Sequence, residues 1–231
     1  SRPEELVVTA WLLKHAAMGL ADRNTVAGVV RAWSQSRTIR FKETDDPVTL
    51  PYHPGCRLVF ADGTPDVLAY PRDRRGWGHL CRLLTEANFR DESTKGDPKV
   101  YCGDLLEWGD CMSLAVIPDF APNAAAGLDF VSRLRDRFGR EAVWVAVAPA
   151  YRGDDRFRIE QAAALAAVAD VPLMAINDVL YHAPERRPLQ DVLTAIRLNT
   201  PVTEAGFALA ANAERHMKPP AEMMRLFRRQ P

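Results

Sequence analysis

Short uninterrupted apolar runs alternate with helix-period segments along most of the chain. Ala17–Ala21, Arg57–Phe60, Asp66–Tyr70, Ser113–Ile117, Ala142–Ala148 and Val171–Ile176 read as strands. Helices are expected over Ser1–His15, Thr25–Gln35, Arg72–Asn88, Ala124–Phe138, Asp154–Ala169, Arg187–Leu198, Glu204–Ala213 and Pro220–Arg228. Ser1 suits an N-cap, with Pro3 and Glu4 in the first turn, and Gly139 suits a helix stop. Val26, Val29, Val30 and Trp33 fall on one helical face, which predicts that this face is buried. Residues 36–54 have no clean period and hold Pro47, Pro51 and Pro54, so they read as a loop insertion; Phe89–Gly103 reads as a loop.

Strands that are apolar on both faces, alternating with helices, imply parallel strands covered on both sides. An open doubly wound sheet and a barrel both satisfy that pattern. No glycine-rich phosphate loop follows any strand, which counts against a nucleotide-binding sheet. Several strands end instead in polar groups: Asp22, Asp119, Asp178 and the pair Tyr151-Arg152. In α/β barrels such strand ends converge on one face, and the barrel is the preferred reading.

Composition narrows the function classes. The 231 residues suffice for one large domain, and 47% are apolar, enough for a sizeable core. Thirty cations balance thirty anions, so no global attraction to nucleic acid or anionic membrane is expected. Cys56, Cys81, Cys102 and Cys111 form no C-x-x-C pair and read as free thiols. The first helix is amphipathic rather than signal-like, and no apolar run is long enough for a membrane span, so a soluble cytoplasmic protein is expected.

Three stretches carry a more specific message: Gly19–Val30, Gly76-Trp-Gly-His-Leu-Cys-Arg-Leu-Leu-Thr85, and Asn177–Arg197 continuing into Asn212–Met223. Together they resemble the polymerase-and-histidinol-phosphatase (PHP) domain of bacterial replicative alpha-subunit-type DNA polymerases, most closely the error-prone branch. The resemblance implies a distorted (β/α)7-like barrel over residues 1–211. By the same resemblance the family's first strand, which bears an H-x-H metal motif, is expected to be missing from these residues. Residues 212–231 would be a helical extension leading toward a polymerase palm, which is expected to lie outside these residues.

A working site of this family resembles a multimetal centre whose His, Asp and Glu ligands hold cations that activate water. At the matching positions Asp22 remains, but Arg23 stands where a histidine ligand would be. Arg57 stands in place of a bridging acid. Asp178 survives, and Leu180 replaces the closing His. A guanidinium stays protonated and cannot coordinate a metal, so the ligand set reads as vestigial. His182 is a further candidate, and Asp22, Asp178 and His182 form the alternative metal set. Arg23, Arg57 and Arg152 are the candidates for holding an anion. Ordinary uses stand beside these: Asp22 and Asp178 as turn caps, and His182 as a hydrogen-bonded structural residue.

These residues imply no catalytic group and no cofactor in this chain, with zinc or manganese as the alternative and magnesium belonging to the parent palm. The leading reading is a non-catalytic scaffold or regulatory domain of an error-prone polymerase active in replication and translesion repair. Its partners would be the parent palm and thumb, with DNA reached through the parent protein and no membrane contact. The alternatives are a metal-dependent phosphoesterase or 3′–5′ exonuclease, and a free-standing protein-interaction module using Glu185–Arg197 and the basic tail.

Overall fold

The computed structural model describes residues 1–40, 47–120 and 124–229. Six strands form one sheet: β1 (Met18–Arg23), β4 (Tyr52–Leu58), β5 (Val67–Pro71), β6 (Met112–Val116), β7 (Val143–Val147) and β8 (Leu173–Ala175), in that spatial order. Two short strands, β2 (Ile39–Arg40) and β3 (Pro47–Val48), pair separately. Five strands of the main sheet coincide with expected apolar runs, shifted by a few residues at their ends, whereas β4 shares only Arg57 and Leu58 with the expected Arg57–Phe60 and starts inside the stretch read as an insertion.

The pairings β1·β4, β6·β7 and β7·β8 are parallel, whereas β5 runs against both neighbours. The connection Val59–Asp66 between β4 and β5 is too short for the crossover that a parallel pair requires. The expected barrel is not closed. Among the described residues β1 and β8 each pair on one side only. Closure requires two neighbours for every strand, and the free edges instead flank a groove of about 740 Å³ lined by residues such as Met18, Ile176, Val179, Met217 and Phe227. The fold is therefore an α/β fold on an open mixed sheet.

Helices α3 (Arg74–Asn88), α5 (Ala124–Phe138) and α6 (Asp155–Val168) supply the larger core with Leu80, Leu83, Leu84, Val131, Leu134, Ile159 and Ala162. A second core lies beneath α1 (Pro3–Leu12) and α2 (Val29–Thr38), around Val7, Ala10, Leu20 and Ala32. The predicted apolar face is met only in part: Val26 packs against the larger core and Val29 is half-buried, but Val30 and Trp33 are exposed and Ala32 and Ser36 are buried instead. Small side chains let α2 approach the sheet, and Trp33 stacks under the Arg37 guanidinium at 5.3 Å. Ser1 does not cap α1; Arg2 takes that position, and its backbone N–H donates to Glu5 Oε2 at 2.8 Å.

Residues read as an insertion contribute to the fold at both ends. Ile39 and Leu50 are buried, and β4 begins at Tyr52. Within the expected loop at 89–103, α4 (Cys102–Trp108) begins, with the Asp104 carboxylate accepting the Tyr101 N–H at 2.8 Å. The helix expected over 204–213 is replaced by two single 3₁₀ turns, Val202–Glu204 and Gly206–Ala208, and Gly206 opens the second with a positive φ. Helices α7 (Arg187–Leu198) and α8 (Pro220–Leu226) lie near their predicted positions. Among the described residues no helix is long and apolar enough to cross a membrane.

Candidate functional site

The carboxyl ends of β6, β7 and β8 converge, as expected for strand-end polar groups in α/β folds. Beyond β8 the chain turns sharply, with Asp178 at φ +44°. Aspartate tolerates this left-handed conformation because its short polar side chain bonds locally. Both oxygens of Asp178 are taken by guanidiniums. Arg57 Nη1 donates to Oδ1 at 2.8 Å, and Arg215 Nη2 donates to Oδ2 at 2.5 Å. Arg215 Nε also donates to the Asp178 carbonyl at 2.8 Å, while Arg57 Nε donates to Asp66 Oδ2 at 2.7 Å.

The result is a chain of alternating charges, Asp66–Arg57–Asp178–Arg215, tying β4, the start of β5, the loop after β8 and the C-terminal segment together. Burial works against the Arg57 charge, but Asp178 and Asp66 outweigh it and raise its pKa above the ordinary value. Each of the four side chains keeps roughly a quarter of its surface exposed. At that exposure the bonds are charge-assisted without full desolvation.

The remaining site candidates are dispersed. Asp22 Oδ2 accepts the Gly28 N–H at 3.1 Å, the turn-capping role open to it from sequence. Arg23 is exposed and lies outside the charge chain, although it is in register with Arg57 across β1·β4. His182 Nδ1 is 2.8 Å from Ser1 Oγ, and the same hydroxyl accepts the His182 N–H at 3.1 Å. Glu5 lies 3.8 Å from that ring nitrogen. The Leu180 N–H donates to the Arg215 carbonyl at 2.9 Å, so this position serves the backbone. Arg152 lines a cavity of about 110 Å³ at the strand ends, together with Arg158, Arg215 and Asp178. Arg158 lies 4.9 Å from the centroid of the Phe120 ring and 3.9 Å from Asp154.

These residues do not fit a metal cluster. Asp178 is engaged on both oxygens by fixed cations, and Asp22 and His182 serve separate local bonds. Among the described residues, no three His, Cys, Asp or Glu side chains are placed to hold a metal ion. Asp66, Arg158 and Arg215 are members of the site that sequence reasoning did not single out. Arg215 sits inside the stretch Asn212–Met223 that carries the resemblance, so its neighbourhood was marked even though its role was not.

Fold and site together define an α/β domain whose strand-end face is organised by arginine–carboxylate pairs. Over its full length the chain is homologous to a segment of error-prone DNA polymerases. It is 66% identical to the error-prone DNA polymerase of Mesorhizobium japonicum over 231 residues, covering all of this chain and 20% of the relative. Identity to the Sinorhizobium medicae error-prone DNA polymerase is 49%, over 97% of this chain and 19% of that protein. For the Brucella abortus enzyme it is 48%, over 100% and 21%. The chain thus spans about a fifth of the length of the curated relatives it matches. No family model matches. A solved structure from Bifidobacterium adolescentis, provisionally described as a metal-dependent phosphoesterase, aligns with a TM-score of 0.49 at 15% identity, over 77% of this chain and 82% of that one.

Proposed function

We propose that this chain is a PHP-like scaffold domain of an error-prone DNA polymerase, without hydrolytic chemistry of its own. The single observation that carries the reading is the double engagement of Asp178 by Arg57 and Arg215. In the family that the sequence resembles, this carboxylate position serves a metal. Here fixed guanidiniums supply the positive charge, so the strand ends are tied without a metal ion. A guanidinium cannot lower the pKa of a bound water as a metal does, and the nucleophile for phosphoester cleavage is not generated. Support of the parent palm and thumb, and participation in translesion DNA synthesis, belong to this proposal.

Anion binding, under the same reading, falls to Arg152 and Arg158 at the strand-end cavity rather than to the expected Arg23 and Arg57, and Arg215 is held by Asp178 as Arg57 is. Arg57 is already bonded to Asp66 and Asp178, and Arg23 lies outside the charge chain.

The test is an assay of the purified chain against p-nitrophenyl phosphate and end-labelled single-stranded DNA, with manganese or zinc added. The expected outcome is no turnover above buffer and no bound metal by elemental analysis. Metal-dependent hydrolysis that survives repeated purification and is lost in Asp178→Ala would overturn the scaffold reading and install the phosphoesterase.

A further inference from the structure

Helix α7 is built inside out. Its inward side holds the Arg187–Asp191 ion pair, 3.3 Å between partners, together with the buried Thr194 and Ala195. Its outward side holds Leu189, Val192, Leu193 and Ile196, at spacings of three, four and seven residues, each between 42 and 70% exposed. That spacing is the apolar stripe by which an amphipathic helix normally faces a core. Leu198, beyond the stripe, is also exposed. The 3₁₀ turn Val202–Glu204, which packs against α7, adds exposed Val202, and Phe207 in the next turn is fully exposed. Single exposed aliphatics are ordinary, but a contiguous stripe of this kind marks an interaction surface.

We propose that this outward face of α7 is where the rest of the polymerase polypeptide packs, through an apolar surface of its own. The inference rests on the reading of the chain as one domain of such a polymerase. The relatives carry the homologous segment as about a fifth of a single polypeptide. A partner on the same chain is present at an effective concentration on the order of millimolar without any further association step, which a second copy cannot match at cellular dilution. Contacts of this permanent kind are also the ones that use aliphatic rather than charged surface. The only charged residue on the outward side within α7 is Arg197, next to Ile196, so an acidic group is expected at the rim of the partner surface.

The experiment compares the 231-residue chain alone with a chimera in which it replaces the homologous fifth of the Mesorhizobium japonicum polymerase. Hydrogen exchange is followed over residues 187–198. The amides are expected to exchange at least about tenfold more slowly in the chimera. Leu193→Glu with Ile196→Glu should abolish that difference while leaving the melting curve of the isolated chain unchanged, since both side chains are solvent-facing there. Equal exchange rates in chain and chimera would overturn the proposal. So would concentration-dependent dimerisation of the isolated chain that the double variant removes, which would assign the face to a second copy. Either result leaves the hydrolysis and metal assays, and with them the scaffold reading, standing or falling separately.

Discussion

A single carboxylate concentrates the behaviour of the strand-end face. Truncating Asp178 to Ala removes the acceptor for Arg57 Nη1 and Arg215 Nη2 at once and leaves two guanidiniums facing each other. Fully buried pairs of this kind cost about 3–5 kcal/mol when one partner is removed. The side chains here keep about a quarter of their exposure and water can re-solvate them, so about 2 kcal/mol is the expected loss. Urea denaturation should show this as a lowered midpoint at unchanged slope. EDTA added to the unsubstituted 231-residue chain should leave the midpoint where it was. A metal-held site would give the opposite pair of results, a large EDTA effect that Asp178→Ala abolishes. At this scale the sequence marked Arg57 and Asp178 as residues of interest, because a cation at a ligand position is visible without coordinates. Their pairing with Asp66 and Arg215 was not visible. Asp66 is 9 residues from Arg57 and Arg215 is 37 from Asp178, and each pair meets only once the β4–β5 turn and the loop after β8 have formed.

Among the elements, α3 shows how a sequence motif becomes a packing constraint. Asp73 caps the helix by accepting the Gly76 N–H at 2.8 Å. At Gly76 the helix passes so close to the Cys111 carbonyl that an added Cβ would lie well inside van der Waals contact. That carbonyl is itself fixed by the Arg72 N–H at 2.9 Å, and Cys111 holds a left-handed φ of 61°, so neither side yields easily. Gly76→Ala is expected to cost about 1–3 kcal/mol through displacement of α3 from β6, against the gain in helix propensity that alanine normally brings. The thermal midpoint should fall accordingly, whereas Gly78→Ala, where a Cβ meets nothing, should hold or raise it. Strand positions were legible because apolar runs have few alternative uses. Helix faces were less so. Periodicity put Val30 and Trp33 toward the core, but the short side chains of Ala32 and Ser36 allow the closer approach of α2 and won that face.

For the molecule as a whole, sheet membership was predictable and sheet closure was not. Apolar runs specify that a strand is covered, but they do not specify its neighbours, and the reversed direction of β5 depends on a connection length that the hydrophobic pattern does not encode. That reversal has a consequence in time. The pairs β4·β5 and β5·β6 are antiparallel, and β4·β5 closes across only the short Val59–Asp66 link. The β1·β4 pair must wait for the long excursion through α2, and the loop after β8 is pinned by a contact between His182 and Ser1, 181 residues apart, and by Arg215, 37 residues from Asp178. Loop-closure entropy is lost before distant contacts repay it, so local pairings lead and long-range ones follow. Refolding followed by pulsed hydrogen exchange should protect the amides of Cys56–Leu58 and Val67–Tyr70 in the earliest phase, with Leu180 and His182 protected only at the end. Simultaneous protection of both groups would show instead that the strand-end face belongs to the folding nucleus. In the expected order, a newly made chain holds its central hairpin well before it has a charged face to present.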